Sequence, residues 1–413
     1  MRILVVTNKF PRLSEKFVID HVTHLLDRGY DVDILSFFKP KPEPEAHAEV
    51  EAYQLNKRLL YVECPQNKIQ RLWKVLGILV RYGISYSREI RRCLHFKKYG
   101  RFEAVNRLFY LEPFLRRPYD VVHCHFGQNA LRLLFLKEII PIKLITTFHG
   151  FDITSFVKEN GTNCYRELFL HGDQLVSVSD YFRDKLIELG APSEKIHVIY
   201  SGVDTNRFSF KERKFDFNNQ IRLLSMGRLV EKKGFAYTLQ ALSHLVRQFP
   251  HIRLTIIGDG PEKENLKRLA HELRLEHVVT VIPALNHDRL KEHFRNSDIF
   301  VLPSVTALNG DQEGIPNVLK EAMLTGMPVV STVHSGIPEL IANNKTGMAV
   351  PERDPNALSS AIADLIQNPD KCKALGSGGR DIVLRKFDNK LIIDQLIKLY
   401  ESTQKTHEYT FVA

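Results

Sequence analysis

The sequence predicts an α/β protein made of two Rossmann-like domains, each with a parallel sheet, that face each other across a cleft. The chain opens with an apolar strand at 2–6, a helical pattern at 17–26 and a second strand at 32–37, which is how a parallel sheet begins. A new series of alternating strands and helices starts at residue 221. The 413 residues, with 44% hydrophobic content, suffice for two domains with separate cores.

The first domain is predicted to comprise residues 1–208. After the first two strands, a proline-rich stretch and a basic helical region lead to further strands, with a helix at 130–136. These strands, each ending in a loop or turn, are expected at 119–126, 143–152, 174–180 and 195–208. Loops at the carboxyl ends of parallel strands are where open α/β sheets bind ligands.

His149 is the candidate ligand-binding residue of the first domain, because it lies on a loop of this kind. Gly150 beside it permits close approach of a ligand, and Asp152 is placed to orient the imidazole. His123 and His125 alternate along their strand, which predicts core or edge histidines with satisfied hydrogen bonds and not a metal site.

The second domain is predicted to comprise residues 209–385, with a polar linker at 211–219. Its strands are expected at 221–229, 253–260, 278–285, 299–304, 328–332 and 346–351, and its first helices at 236–249, 262–273 and 289–296. The Gly-rich sequence at 376–379 follows no strand, so we interpret it as a helix boundary. Two facing sheets leave a cleft between them, where active sites are commonly found.

The segment 311–330 is predicted to pass from an acidic loop into a helix. Pro316 suits a first helical position, Gly326 ends the apolar helical run, and Glu313 and Glu321 lie eight positions apart. The free N–H groups and the dipole of a helix N-terminus form a site for phosphate. Alone, either glutamate would suggest only a solvated surface residue. Beside an anion site, the pair suggests a ligand with hydroxyls and phosphate, such as a sugar nucleotide.

Arg228 and Lys233 follow the first strand of the second domain, in the sequence GRLVEKKG. Gly227 and Gly234 bracket them, so the backbone can approach a ligand closely and the two cations can reach one anion. A planar guanidinium and a compact ammonium together suit a diphosphate. The GDG at 258–260 lacks the third glycine of a dinucleotide fingerprint and gives little support for NAD.

Composition disfavours several other classes of protein. The five cysteines form no C-x-x-C pair, which predicts neither a disulfide framework nor a zinc knuckle and suggests a reducing, cytoplasmic setting. No apolar run approaches the roughly 18 residues that span a bilayer. Asp31 and Asp33 spell D-x-D at the entrance to a strand, where we expect no metal role. Nucleophilic hydrolysis finds no G-x-S-x-G or Cys/His setting.

The net charge of +10 is localised in residues 57–117, which carry fifteen Lys or Arg against four Glu. Aromatic residues are interleaved with these charges. Such a segment suits an anionic membrane face, where each Lys or Arg contributes roughly 1 kcal/mol. It would also suit RNA, and it is compatible with solvated helical faces whose aromatic residues lie in the core.

These motifs together resemble the retaining glycosyltransferases of family four, which have the GT-B fold. The second domain carries most of the resemblance, in GRLVEKKG, IIGDGPE, SDIFVLPS, EGIPNVLKEAMLTGMPVVST and SGIPELI. TFHGFD and SGVD agree less specifically. The opening FPRLSEKFV is similar to a bacterial subgroup that builds exopolysaccharides of the colanic acid and amylovoran kind.

The resemblance implies roles for the candidate residues. Glu321 matches the glutamate that binds the ribose diol of the donor nucleotide, and Glu313 matches one that contacts the donor sugar. Arg228 and Lys233 match the pair that neutralises the diphosphate, and His149 matches a histidine near the reacting bond. The implied catalytic residues are His149, Glu313, Arg228 and Lys233, and the implied donor site is Arg228, Lys233, Glu313, Gly314, Ile315, Pro316, Asn317 and Glu321.

The resemblance also implies a structural role for Asp204 and a last helix, within 386–405, that crosses back onto the first domain. One departure concerns residues 9–14, which replace the Gly-Gly loop of many relatives, so the acceptor side is not predicted.

The implied activity is a metal-independent transfer of a hexose from a nucleotide-diphosphate sugar to a lipid-diphosphate-linked saccharide, without a cofactor or nucleic acid. The implied setting is cytoplasmic, at the anionic surface of the inner membrane. UDP and GDP donors both remain open. Competing interpretations are a GT-B sugar-nucleotide 2-epimerase, a non-catalytic nucleotide-sugar sensor and an RNA-binding protein, although the sequence shows no nucleic-acid-binding signature.

Overall fold

The computed structural model describes residues 1–12, 15–39, 47–285 and 287–405. Leu13 and Ser14 of the N-terminal loop and most of the proline-rich stretch lie outside the described residues. The strands of the first sheet are β1 (Arg2–Lys9), β2 (Asp31–Phe38), β3 (Leu59–Tyr61), β4 (Val121–His125), β5 (Lys143–Phe148), β6 (Gln174–Ser177) and β7 (Ile196–Val198). They all run parallel, in the order β3, β2, β1, β4, β5, β6, β7.

Helices cover both faces of this sheet. Leu4 and Val6 of β1 pack in one core cluster, while Ile3 and Val5 pack in another on the opposite face. Strands of such a sheet are therefore apolar at nearly every position. The helices of this part are α1 (Lys16–Asp27), α2 (Ala48–Ala52), α3 (Lys68–Tyr82), α4 (Ser87–Cys93), α5 (Phe96–Tyr99), α6 (Arg101–Arg116), α7 (Gly127–Leu133), α8 (Ser155–Asn160), α9 (Arg166–His171) and α10 (Asp180–Glu188).

The second sheet is also parallel. Its strands are β8 (Ile221–Met226), β9 (Ile252–Ile257), β10 (Val279–Ile282), β11 (Ile299–Leu302), β12 (Val329–Thr332) and β13 (Met348–Val350), in the order β10, β9, β8, β11, β12, β13. The remaining helices are α11 (Phe235–Leu245), α12 (Lys263–Glu272), α13 (His287–Asn296), α14 (Asn317–Leu324), α15 (Ile337–Leu340), α16 (Pro355–Gln367), α17 (Pro369–Lys386) and α18 (Asn389–Lys405). The predicted architecture of two parallel-sheet domains is confirmed.

The last helix, α18, packs on the first sheet. Ile393, Leu396 and Tyr400 lie in the same core cluster as Ile3 and Val5 of β1. Arg28, at the end of α1, forms an ion pair with Asp394 at 2.7 Å. The chain thus returns to the first domain after completing the second.

The interpretation of 376–379 as a helix boundary is wrong, because α17 runs through it without a break. Close packing explains the glycines. A Cβ added at Gly376 would lie 2.3 Å from the carbonyl oxygen of Gly326, and one at Gly378 would lie 2.3 Å from that of Lys345. These glycines let α17 lie directly against neighbouring backbone.

The D-x-D aspartates are engaged by basic and phenolic side chains. Arg117 pairs with both Asp31 and Asp33, and the Tyr119 hydroxyl donates to Asp33 Oδ2 at 2.7 Å. Part of the positive charge of segment 57–117 is therefore used inside the first domain.

Contacts join the two domains across the cleft. The Glu339 carboxylate of the second domain accepts hydrogen bonds from the backbone N–H groups of Asp180 and Tyr181, at the start of α10, at 2.9 and 3.1 Å. The Tyr181 hydroxyl donates to Gln312 Oε1 at 3.2 Å. The start of α10 is thereby held against α15 and the loop before α14.

Candidate active site

Glu313 lies in the loop before α14 and is paired with two lysines. Its carboxylate is 2.9 Å from Lys233 Nζ and 3.3 Å from Lys232 Nζ. Burial alone would raise the pKa of Glu313, but the two ammonium charges outweigh burial and lower the pKa to about 2. Lys232 also pairs with Asp311 at 3.0 Å. Sequence reasoning singled out Lys233 and passed over Lys232, although the KK doublet was visible.

The two glycines that bracket this turn have different jobs. Gly234 has a φ of +70°, and an added Cβ there would lie 1.8 Å from the carbonyl oxygen of Pro303. Gly227 lies beneath the side chain of Lys233, whose Cε is 3.3 Å from where a Cβ would be. Because Gly227 has no side chain, the Lys233 side chain has room to pass over the end of β8.

His334 holds the backbone of Glu313 and was not predicted from the sequence. The Glu313 N–H donates to His334 Nε2 at 3.1 Å, and His334 Nδ1 lies 2.5 Å from Glu352 Oε1. Glu352 Oε2 in turn accepts from the Thr306 N–H at 2.9 Å. Because Nε2 accepts, the proton of a neutral His334 is on Nδ1 and donates to Glu352.

Arg228 is exposed and faces the first domain. Its charge acts on Glu15, the first residue described after the N-terminal loop: burial raises the pKa of Glu15, while Arg12 and Arg228 oppose that rise. Glu15 is held by Arg12 at 2.8 Å and by the Thr7 hydroxyl at 3.2 Å. Arg228 is thus close enough to the N-terminal loop of the first domain for its charge to act on Glu15.

Glu321, on α14, lines a pocket between the domains. Burial raises its pKa to about 7, against the lowering effect of Arg207 and Lys16. Asn317 and Asp20 line the same pocket. Glu313 instead faces Lys232 and Lys233, so the two glutamates address neighbouring regions and not one common pocket.

Asp204 also lines the pocket of Glu321, and it organises the local turn. Its Oδ1 accepts from the Asn206 N–H at 3.0 Å.

His149 follows β5 and is packed among aromatic rings. Its ring centroid is 4.4 Å from that of Phe17 and 4.7 Å from that of Phe126. His149 Nε2 lies 2.9 Å from His125 Nδ1. Burial lowers the pKa of His149 to about 3, so the imidazole is neutral at physiological pH.

Asp152 orients the backbone of this loop and not the imidazole, which corrects the prediction. Its carboxylate accepts from the N–H groups of His149, Gly150 and Gly127 at 2.9, 3.0 and 3.0 Å. A Cβ added at Gly150 would lie 2.9 Å from the Gln312 carbonyl oxygen. The absence of a side chain at Gly150 therefore allows the second domain to approach closely. The loop of His149 lies against the loop that carries Glu313.

The start of α14 lies in this contact. Gly314 touches the first domain, since an added Cβ would be 3.2 Å from Val178 Cγ2. Ile315 is buried, and Pro316 precedes the helix as its cap, one position earlier than predicted. Among the described residues, no side chain caps the N–H groups of α14. Asn317 Oδ1 accepts from the buried Lys320 at 3.0 Å.

Comparison with known families matches both halves of the chain. Residues 14–207 match the model of Glycosyltransferase Family 4, and residues 206–382 match that of Glycosyl transferases group 1. The putative colanic acid biosynthesis glycosyltransferase WcaL of Escherichia coli is 35% identical over 95% of this chain and 98% of its own length. The amylovoran biosynthesis glycosyltransferase AmsK of Erwinia amylovora is 33% identical over 97% and 99%.

Solved structures share the architecture. Anabaena HepE, crystallised with UDP and glucose, superposes with a TM-score of 0.73 at 18% identity and covers 97% of this chain and 100% of its own. A glycosyltransferase from Rickettsia africae superposes with a TM-score of 0.69 at 20% identity, covering 98% of each chain. These likenesses show that the fold is GT-B.

Proposed function

Because the chain belongs to the glycosyltransferases of family 4 and group 1, we propose that it is a retaining enzyme that moves a hexose from a nucleotide-diphosphate sugar to a saccharide acceptor in bacterial exopolysaccharide or cell-surface polysaccharide synthesis. The observation that carries the proposal is the cluster of Lys232, Lys233 and Glu313 beside the uncapped start of α14, across from His149.

Charge development explains why this arrangement suits glycosyl transfer. As the bond from the sugar to the diphosphate breaks, negative charge grows on the diphosphate. Lys233, Arg228 and the N–H groups at the start of α14 stabilise that charge without requiring a metal ion. Each preorganised donor of this kind contributes roughly 3 kcal/mol to the transition state. Lys233 is already positioned by Glu313, so it need not be ordered when the donor binds.

The remaining residues recognise the rest of the donor. Glu321 accepts hydrogen bonds from the hydroxyls of the pentose in its pocket. Glu313 contacts the hydroxyls of the hexose. His149, neutral and packed by Phe17, lies beside the sugar and the reacting bond. Retention of configuration follows when the acceptor attacks from the face that the diphosphate leaves, with a phosphate oxygen taking the acceptor proton.

The test is product analysis with purified full-length protein, UDP- and GDP-hexoses, and lipid-diphosphate-linked saccharide acceptors. We expect a new glycoside that retains the anomeric configuration and forms only when acceptor is present. Release of a free epimerised sugar without acceptor would indicate a 2-epimerase, and donor binding without turnover would indicate a sensor. Either result overturns the proposal.

The proposed setting is the cytoplasmic surface of the inner membrane, because helix α3 exposes an apolar face. Ile69, Leu72, Trp73, Leu76 and Val80 recur at helical spacing, with exposures of 67, 58, 70, 41 and 85%. Large apolar side chains seldom cluster on a free surface. No helix among the described residues is long and apolar enough to cross a bilayer.

Because positive charge lies in the helices that follow this apolar face, we expect its partner to be an anionic bilayer. Five basic side chains of α3 to α6 make no ion pair, hydrogen bond or ring contact with the described residues: Lys68, Arg88, Arg91, Lys97 and Arg101. An apolar helix face flanked by free cations lies in the interface of anionic lipids. A lipid-linked acceptor would be found at the same surface.

Sedimentation with vesicles tests this docking. We expect binding to vesicles that contain phosphatidylglycerol and not to neutral ones. Trp73→Glu should weaken binding about tenfold, since a large apolar side chain contributes roughly 1.5–3 kcal/mol on burial. The matched control is Leu170→Glu, which replaces an exposed apolar side chain on a different helix, α9. Equal weakening by both variants, or stronger binding to RNA than to vesicles, would contradict the docking.

A further inference from the structure

A continuous chain of hydrogen bonds runs through the interior of the first domain and ends on His149. It links one hydroxyl from β5, three further histidines and one phenol from α18. In order, the distances are Thr147 Oγ1 to His123 Nε2, 2.7 Å; His123 Nδ1 to Tyr400 Oη, 2.5 Å; Tyr400 Oη to His21 Nε2, 2.7 Å; His21 Nδ1 to His125 Nε2, 3.0 Å; and His125 Nδ1 to His149 Nε2, 2.9 Å.

All members except His149 are buried, so the chain is shielded from solvent. Burial lowers the pKa of each of its histidines, which keeps the imidazoles neutral. A neutral imidazole carries one N–H donor and one acceptor nitrogen, and a phenol donates one hydrogen bond. The links therefore depend on one another. Because the buried Tyr400 hydroxyl must itself donate to one of its two histidine neighbours, only two complete orders of donors exist.

In the first order, the Thr147 hydroxyl donates to His123, and each group donates to the next until His125 Nδ1–H donates to His149 Nε2. His149 then carries its proton on Nδ1. In the second order every link is reversed, and His149 carries its proton on Nε2. The first order uses the Thr147 hydroxyl as a donor. In the second, the described residues offer that buried hydroxyl no acceptor, and an unpaired buried donor is unfavourable.

We propose that this chain fixes His149 in the Nδ1–H form and that Tyr400 is therefore a positioning residue for the transfer reaction. The tautomer of His149 does not depend on the proposed function; only its role toward a substrate rests on that function. The nitrogen of His149 that the chain leaves free carries the proton, so it offers a hydrogen-bond donor to an oxygen of the ligand.

Tyr400 also ties this order to the position of α18. The phenol bridges His21 and His123, whose nitrogens contact its oxygen from two sides. The chain is complete only while α18 lies on the first domain, through Ile393 and Leu396. The tautomer of a cleft residue thus depends on a helix that follows the second domain.

A transition-metal ion is the competing use of these histidines, since ligand atoms of His21, His123 and His125 lie within 4.8 Å of one another. A metal would require the lone pairs that the hydrogen bonds occupy. In this arrangement the nitrogens face each other and the phenol in pairs, which favours the hydrogen-bonded chain.

The test is NMR of the full-length protein with 15N-labelled histidine, whose long-range 15N–1H couplings distinguish the two tautomers. We expect His149 as Nδ1–H in the wild type. Tyr400→Phe keeps the ring and removes the central link, so His149 should become a mixture of tautomers, and kcat should fall about tenfold, as for one lost hydrogen bond, with KM for the donor changed less than twofold. Tyr53→Phe, which removes an exposed hydroxyl bonded to Asp27, should change neither.

Thr147→Val gives a second test at the far end of the chain, in case Tyr400→Phe folds poorly. It removes the donor that sets the order and leaves His123 Nε2 unpaired in either order, so His149 should become a mixture of the two tautomers. Three results overturn the proposal: His149 as Nε2–H in the wild type, a His149 tautomer unchanged in both variants, or stoichiometric zinc binding that perturbs the three buried histidines. Because the tautomer is read without turnover, an enzyme that lacks the proposed activity would still report on the chain.

Discussion

Among single residues, Lys232 and Lys233 differ in the number of carboxylates with which they form ion pairs. Among the described residues, Lys233 forms an ion pair only with Glu313, whereas Lys232 pairs with both Asp311 and Glu313. Removal of Lys233 leaves Glu313 with a cation 3.3 Å away. Removal of Lys232 leaves Asp311 without a charged partner among the described residues. Lys233 is therefore free to act on a ligand, and Lys232 is more closely committed to the loop.

Lys233→Ala should lower kcat about 100-fold, which corresponds to the roughly 3 kcal/mol expected for one preorganised donor. The free energy of unfolding should change far less, because Lys232 remains beside Glu313. Steady-state kinetics at saturating donor and urea unfolding measure the two effects. Lys263→Ala, which breaks an exposed pair with Asp259, is the control and should alter neither. Unchanged turnover in Lys233→Ala would remove the lysine from the mechanism.

Glu321 predicts a pH dependence of stability. Its pKa rises from 4.5 to about 7 in the folded protein, so the folded state disfavours the ionised form. The sign follows: the contribution of this carboxyl is most favourable below pH 4.5 and is lost as the pH rises to 7. Glu321→Gln should therefore stabilise the protein relative to the wild type at pH 8 and much less at pH 5.

Urea unfolding at both pH values checks this, with the exposed Glu264→Gln as the control. Parallel stability curves for wild type and Glu321→Gln would show that Glu321 titrates normally.

At the scale of elements, α17 shows how packing replaces a local rule. Three glycines within one helix suggest an end, yet Gly376 lies against the Gly326 carbonyl and the helix continues to Lys386. Such a contact joins residues 50 positions apart in the sequence, so no local pattern reveals it. His334 was missed for a similar reason, since only the folded loop places its ring beneath Glu313.

Gly376→Ala should destabilise the second domain by about 1–3 kcal/mol, because the new methyl group meets backbone that has no room to move. Gly77→Ala on α3 is the matched control: nothing lies within 4 Å of its added Cβ, and alanine favours helix more than glycine does. Thermal unfolding compares the two. Equal midpoints for both variants would show that α17 has room at Gly376.

At the scale of the whole molecule, the sequence predicted the fold and much of the candidate site for a physical reason. Parallel strands are apolar throughout, so the local pattern predicts both sheets. The loops that follow the strands carry Gly227, His149 and Glu313, so the same pattern predicts the edge of each sheet at which ligands bind. The relation between the domains was not visible. The absence of a side chain at Gly150 allows the first domain to contact the Gln312 carbonyl of the second. The charge of Arg228 likewise acts on Glu15 of the other domain.

Glu339 joins the two domains by accepting hydrogen bonds from two N–H groups at the start of α10. Glu339→Ala leaves those groups unpaired and should shift the protein toward an open form, with a larger radius of gyration in small-angle X-ray scattering. Glu188→Ala, at the other end of α10, should leave the radius unchanged. A compact Glu339→Ala protein would show that other contacts suffice to hold the domains.

We propose that a diphosphate binds between the cations of the second domain and the start of α14. A crystal structure of the protein with UDP or GDP tests this binding mode. We expect diphosphate oxygens about 3 Å from Lys233 Nζ and from an N–H group at the start of α14, with the pentose hydroxyls at Glu321. A nucleotide bound elsewhere, with Lys233 still paired only with Glu313, would contradict it.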